Sequence, residues 1–224
     1  MKILVFDTCF NKSYIVLADN DKILGSKIIK GDDRNYHSVY LIPEIRNMLK
    51  NSGLFIKDLD AIGINIGPGS FTGIRVSAVT ARVMCMQFNI KLIGIPSLEI
   101  LACLNKQNTP AAVILDARKS RYYFGVYENG AVLQEPVLKS RDELISCIKP
   151  DYTVISDASS AEFLSENNIK SITYEDAEDN LGLYLLDIVK QRLQNEKNDF
   201  NWAEVKPLYL QKPSVTMPKD RANV

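Results

Sequence analysis

Gly67-Pro68-Gly69-Ser70-Phe71-Thr72-Gly73-Ile74-Arg75 gathers three glycines, two hydroxyls and an arginine within one short stretch. An apolar, β-branched run, Leu59 to Ile66, precedes it, and Ile74 to Phe88 follows without glycine or proline. The stretch therefore joins a buried strand to the start of a helix. Unpaired N–H groups at a helix start favour an anion or polar ligand, and Ser70 or Thr72 can cap the start. A tight turn with only a packing role explains the same glycines, and the residues leave both readings open. It is not a Walker-type phosphate loop, because no Lys-Ser/Thr follows the second glycine. Gly-Ser-Phe-Thr-Gly has the outline of a nucleophile elbow, which needs a histidine base. The only histidine, His37, lies upstream of the serine.

Two aspartates stand in matching places. Asp7 ends the apolar run Ile3 to Phe6, and Asp116 ends the run Ala112 to Leu115. Laid over each other at an offset of 109, without a gap, the halves put Tyr14 on Tyr123, Asp19 on Glu128 and Asn20 on Asn129. Each half runs strand, acid, strand, turn, strand, helix, the mark of an internal repeat. A duplicated strand–Asp–hairpin is the core of the actin-like architecture of sugar kinases and Hsp70. There a glycine two residues past each acid lets backbone N–H groups pinch the nucleotide phosphates. Here Asp7-Thr8-Cys9 and Asp116-Ala117-Arg118 carry cysteine and arginine instead, so both pincers are degenerate and ATP binding is expected to be weak or absent. The aspartates serve equally well as caps of loops at strand ends. Arg75, Arg82, Arg118 and Arg121 either face the cleft, where guanidinium suits phosphate or carboxylate, or stand in solvent. With one histidine and no clustered carboxylates, no metal and no cofactor are expected.

The elements that position these residues are legible from periodicity. Strands are predicted over Tyr14–Ala18, Ile23–Ile29, Lys91–Ile95 and Tyr152–Ser156, and helices over Ser38–Asn51, Ser97–Leu104, Arg141–Ile148, Ser159–Asn167 and Asn180–Asn195. Asn105 to Pro110 is polar and ends in proline, which divides the chain into a lobe at 1–105, a lobe at 106–210 and a frayed tail at 211–224. The fold class is α/β: a duplicated actin-like (ASKHA) fold, each lobe with a mixed central sheet and flanking helices. Two helices of the first lobe carry wide apolar arcs, with Val39, Tyr40 and Ile42 outside one stripe and Val76, Val79, Val83 and Met86 outside the other. Such arcs are buried within the lobe or covered by a partner.

Of 224 residues, 46% are hydrophobic, and 27 basic residues balance 27 acidic ones. A zero net charge excludes a global field that draws nucleic acid or anionic membrane. Four scattered cysteines without a C-x-x-C pair argue against disulfides and zinc and for a reducing cytoplasm. No run approaches the length of a membrane span.

Asp7-Thr8, Gly67 to Val76, Gly94-Ile95-Pro96-Ser97-Leu98, Asp116-Ala117-Arg118 with Tyr122-Tyr123, and Pro207-Leu208-Tyr209-Leu210 occur in the order of one known family. On them the chain resembles the TsaB (YeaZ) family of bacterial tRNA-modification subunits. The resemblance runs from residue 1 to about 210. It implies a two-lobed actin-like protein without catalysis of its own, paired through helices of its first lobe with the paralogue TsaD or with a second copy of itself. TsaD transfers threonylcarbamoyl to N6 of adenosine 37 in tRNAs reading ANN codons, and the ATPase TsaE joins the complex. The resemblance thus implies contact with tRNA only indirectly, through the complex. Two enzyme readings compete with it. One is an actin-like ATP-dependent kinase or acyltransferase, which the filled pincers oppose. The other is an M22-type glycoprotease, which the single histidine opposes.

Overall fold

Strand β1 (Lys2–Asp7) has no solvent face: Ile3 and Val5 are buried on one side, Leu4 and Phe6 on the other. A strand covered on both faces reads as an unbroken apolar run, which is how it appears in the sequence. In this computed structural model, which describes residues 1–30, 36–177, 180–194 and 200–211, β1 is the central strand of a five-stranded sheet. Its neighbours are β2 (Ser13–Asp19), β3 (Lys22–Ile29), β4 (Ala61–Asn65) and β5 (Lys91–Ile95), in the order β3-β2-β1-β4-β5. β1–β2 and β2–β3 are antiparallel, whereas β1–β4 and β4–β5 are parallel.

The second sheet repeats this arrangement. It comprises β6 (Ala111–Asp116), β7 (Arg121–Glu128), β8 (Ala131–Ser140), β9 (Thr153–Ser156) and β10 (Ile172–Thr173), in the order β10-β9-β6-β7-β8. Read from the other edge, that is the first sheet's order with the same senses of pairing. The expected duplication is therefore present, with one correction to its register. The loop after β1 spans residues 8–12, and that after β6 spans 117–120, one residue fewer. The hairpin turns keep the offset of 109, with Asn20 and Asn129 both at positive φ. The cross-strand partners shift, so Asp7 faces Tyr14 while Asp116 faces Tyr122 and not Tyr123.

Helices α1 (Tyr36–Asn51) and α2 (Phe71–Phe88) cover the outer face of the first sheet, where Leu41, Ile45, Met48, Ala78, Ala81 and Cys85 meet Leu4, Phe6 and Ile62. Helices α4 (Arg141–Cys147) and α5 (Ala158–Glu166) cover the second sheet in the same way, through Leu144, Phe163 and Leu164. Between the sheets lie α3 (Ser97–Ala102) and α6 (Leu181–Leu193), and these two cross over. α3 packs on β6 and β7, and α6 packs on β1, β2, β4 and β5. The largest apolar cluster is this shared middle layer, joining Ile3, Val5 and Val16 through Leu98, Leu101, Leu185 and Val189 to Val113 and Leu115. Arg192 of α6 grips the buried Glu99 of α3 with two bonds of 2.8 and 3.0 Å.

Some element bounds differ from expectation. α3 stops at Ala102, where Cys103 N–H turns back to Ile100 O and tightens the last turn. Pro207–Leu210 lies outside the helices and sheets and is anchored by Leu208 N–H on Ile66 O at 2.8 Å. The polar loop 31–35, the side chain of His37 and the tail beyond Gln211 lie outside the described residues. All four cysteines are free, and no helix among the described residues is long and apolar enough to cross a membrane.

Candidate functional site

At the ends of β1 and β4, Asp7 and Asn65 stand side by side, both fully enclosed. Asp7 Oδ1 accepts from Cys9 N–H at 2.6 Å, and Oδ2 accepts from the Asn65 side-chain amide at 3.0 Å. Asn65 Oδ1 in turn accepts from Gly67 N–H and from Ser97 Oγ, each at 2.8 Å. A carboxylate only accepts and a backbone N–H only donates, so this pattern fixes the orientation of the Asn65 amide. One amide side chain thereby ties β1, the glycine loop and the start of α3 together.

The glycine loop is closed by a second set of bonds. Ser70 caps α2, accepting from Gly73 N–H at 3.2 Å, and its own N–H reaches Cys9 O at 2.9 Å. Thr8 Oγ1 donates to Gly73 O at 2.6 Å and accepts a hydrogen bond from Ser77 Oγ at 2.7 Å. A Cβ on Gly73 would lie 1.7 Å from Thr8 O, and one on Gly69 would lie 2.7 Å from Cys9 O. These glycines serve close approach of the two loops. Gly67, at φ +95°, holds the loop's one left-handed turn, after which the Gly67–Pro68 peptide is cis. Thr72 is exposed and does not cap.

The loop after β1 is thus packed from within against the glycine loop. Thr8 and Cys9 are buried, and the Cys9 thiol donates to Asn65 O at 3.3 Å. Burial, followed by the charge of Asp7, pushes that thiol well above its ordinary pKa. The second loop differs. Asp116 is exposed, its Oδ1 accepts from Arg118 N–H at 2.9 Å, and Ala117 is buried beneath. Asp7 and Asp116 both accept from the N–H two residues on, so both act as strand-end caps. Of the four candidate arginines, Arg75 lies 3.8 Å over the Phe71 ring and donates from Nε to Tyr209 Oη at 3.1 Å. Arg82 reaches toward Trp202, and Arg118 and Arg121 are exposed. Asn65, Ser77, Ser97 and Tyr209 carry much of this geometry, and the sequence reading assigned none of them a role. For Asn65 the signal was present, since a polar residue ends an apolar strand there as Asp7 does in β1.

Burial raises the Asp7 pKa to about 6 against the pull of its hydrogen bonds from Asn65 and Cys9. A carboxyl held above its unfolded value of 3.8 adds stability that is complete below 3.8 and is lost as pH rises through about 6. The stability of the wild type minus that of Asp7→Asn should therefore grow by about 2 kcal/mol between pH 7 and pH 4. Urea melts of both proteins at the two pH values check this, and a constant difference would contradict it.

On the outer face, α1 and α2 pack side by side, and six of the seven apolar residues singled out there are free of the core. Val39, Tyr40, Ile42, Val79, Val83 and Met86 are between 50% and 62% exposed. Val76 is the exception, half-buried against Leu4, Phe6 and their neighbours. The apolar arc is thus an open surface for all but this one residue.

Two like-ordered sheets with crossed central helices and acid-ended first strands define a duplicated actin-like α/β fold. YeaZ from Pseudomonas aeruginosa has this fold: its solved structure superposes with a TM-score of 0.74 at 19% identity, covering 93% of this chain and 99% of that one. The family model TsaD, tRNA N6-adenosine threonylcarbamoyltransferase, matches residues 31–163, more than half of the 224. The tRNA threonylcarbamoyladenosine biosynthesis protein TsaB of Bacillus subtilis is 28% identical over 147 residues, 65% of this chain and 63% of that protein. Its counterpart in Haemophilus influenzae is 27% identical over 192 residues, 78% and 79% of the two chains. The chain belongs to this wider family and, within it, to the TsaB (YeaZ) group.

Proposed function

We propose that the chain is a non-catalytic subunit in the formation of N6-threonylcarbamoyladenosine at position 37 of tRNAs reading ANN codons. Its partner is a TsaD-like transferase, with a TsaE-like ATPase joining the larger assembly in the cytoplasm. The observation that supports this reading is the closed loop beside β1, where Thr8 and Cys9 are buried against the glycine loop and no glycine stands two residues past Asp7. The exposed arc on α1 and α2 is then the partner-binding face, with a second copy of the chain its occupant when TsaD is absent. We divide the protein into lobes 1–105 and 106–210 on the two sheets, with α3 and α6 exchanged between them.

A phosphate approaching β1 must displace Cys9 and break the bonds that hold Asn65, so Mg-ATP should not bind the isolated chain in the micromolar range. Calorimetric titration up to millimolar nucleotide is expected to give no saturable heat. A micromolar dissociation constant that disappears in Asp7→Ala would instead support the kinase-like reading.

A further inference from the structure

The hairpin turn between β6 and β7 holds Arg118, Lys119 and Ser120 in succession at φ of +63°, +54° and +54°. Non-glycine residues adopt that region only at a cost, and such strain persists where the surroundings enforce it. Here Ala117 N–H bonds to Arg121 O, Arg121 N–H to Arg118 O, and Arg118 N–H to the Asp116 carboxylate. The result is a rigid knuckle that displays Arg118, Lys119 and Arg121, all exposed and, among the described residues, in no ion pair.

The segment 207–211, which bends at Leu210 and Gln211, links this knuckle to the glycine loop. Gln211 donates to Ala117 O at 2.8 Å, Leu208 is pinned on Ile66 O, and Tyr209 meets Arg75. The exposed rings of Phe71 and Tyr209 lie 5.6 Å apart, with the Arg75 guanidinium over the first. Carboxylates near the knuckle include Asp116 and Asp157, with Glu175 beside Asp157 and Glu143 held on Ser140, the strand partner of Arg121. Asp116 accepts from Arg118 N–H, and Asp157 accepts from Asp116 N–H and Ser160 N–H. Four exposed cations beside a tilted pair of exposed rings is chemistry that suits a phosphate backbone and unstacked bases.

We infer that the knuckle 118–121 and the Phe71–Arg75–Tyr209 cluster form a direct contact surface for the tRNA substrate. This inference rests on the reading that the chain serves tRNA modification, and it replaces the expectation of indirect contact. Arg118, Lys119 and Arg121 neutralise phosphates, and Arg75 presents a pre-ordered guanidinium to a phosphate or a base.

The test is anisotropy of labelled, unmodified tRNA with the assembled complex of this chain and its TsaD-like paralogue, across a salt series. Each neutralised single-strand phosphate contributes about 0.7 to the slope of log affinity against log salt. Arg118→Gln with Arg121→Gln should therefore lower the slope by about 1.4 and weaken binding about 25-fold at 0.1 M salt. Lys119→Gln with Arg75→Gln, which leaves the capped backbone bonds alone, should act in the same direction. Lys57→Gln with Lys149→Gln, at the opposite ends of the strands, should change neither quantity. Wild-type affinity and slope in both pairs, or an equal loss in the control, would overturn the surface. Assembly is read first by sizing, and its failure would overturn the subunit reading alone. The same variants on the isolated chain would then decide the RNA surface by the same criterion.

Discussion

Gly73→Ala is expected to leave little folded protein. The added methyl would stand 1.7 Å from Thr8 O, and that oxygen belongs to backbone, which cannot swing aside as a side chain can. Relief requires α2 to move off the loop after β1. That movement breaks the Thr8 hydroxyl bond to Gly73 O, its bond with Ser77 and the Ser70 N–H bond to Cys9 O. Losses of this kind exceed about 4 kcal/mol, a large part of the 5–15 kcal/mol that stabilises a typical domain. Ser70→Ala is the contrast, since it removes only a helix cap worth about 1 kcal/mol. Thermal melts followed by circular dichroism check both. A Gly73→Ala protein melting within a few degrees of wild type would show that the two loops are not locked.

The second large effect concerns partners. Val79→Glu with Val83→Glu places two carboxylates on the exposed arc of α2, the helix that packs beside α1. An interface of standard size, roughly 1,600 Å² in total, would bury both without counter-charges. An uncompensated buried charge costs several kcal/mol, so pairing with the TsaD-like paralogue should weaken by at least about 100-fold. Both positions face solvent in the isolated chain, and its melting temperature should be unchanged. Calorimetry of the purified pair reads the affinity, and full retention by a folded double variant would move the interface elsewhere.

Much of this was legible in the residues. Asp7 and Asp116 each close an apolar run, which announced two equivalent sheets, and helical spacing separated the outer residues of α1 and α2 from Leu41, Ile45 and Ala81 except at Val76, which packs on the core. The glycine loop read as a strand-to-helix turn with Ser70 or Thr72 as cap, and the structure gives that role to Ser70. What escaped depends on distance along the chain. Periodicity says that α6 has an apolar face, not that the face belongs on the first sheet and not the second. Asn65 gains its role because residues 7, 67 and 97 converge on it, and Arg75 finds Tyr209 across 134 positions. The one-residue shift in the second hairpin was hidden because a shorter loop and a longer strand cancel in an ungapped overlay.

The most direct test of the central claim is reconstitution. Unmodified tRNA, an activated threonylcarbamoyl donor and the TsaD-like paralogue are incubated with and without this chain, and modified adenosine is counted by mass spectrometry of the digested tRNA. The account predicts that this chain alone forms none, that the paralogue alone forms little, and that the two together restore the reaction in wild type but not in Val79→Glu with Val83→Glu. Product formed by this chain in the absence of the paralogue would contradict it.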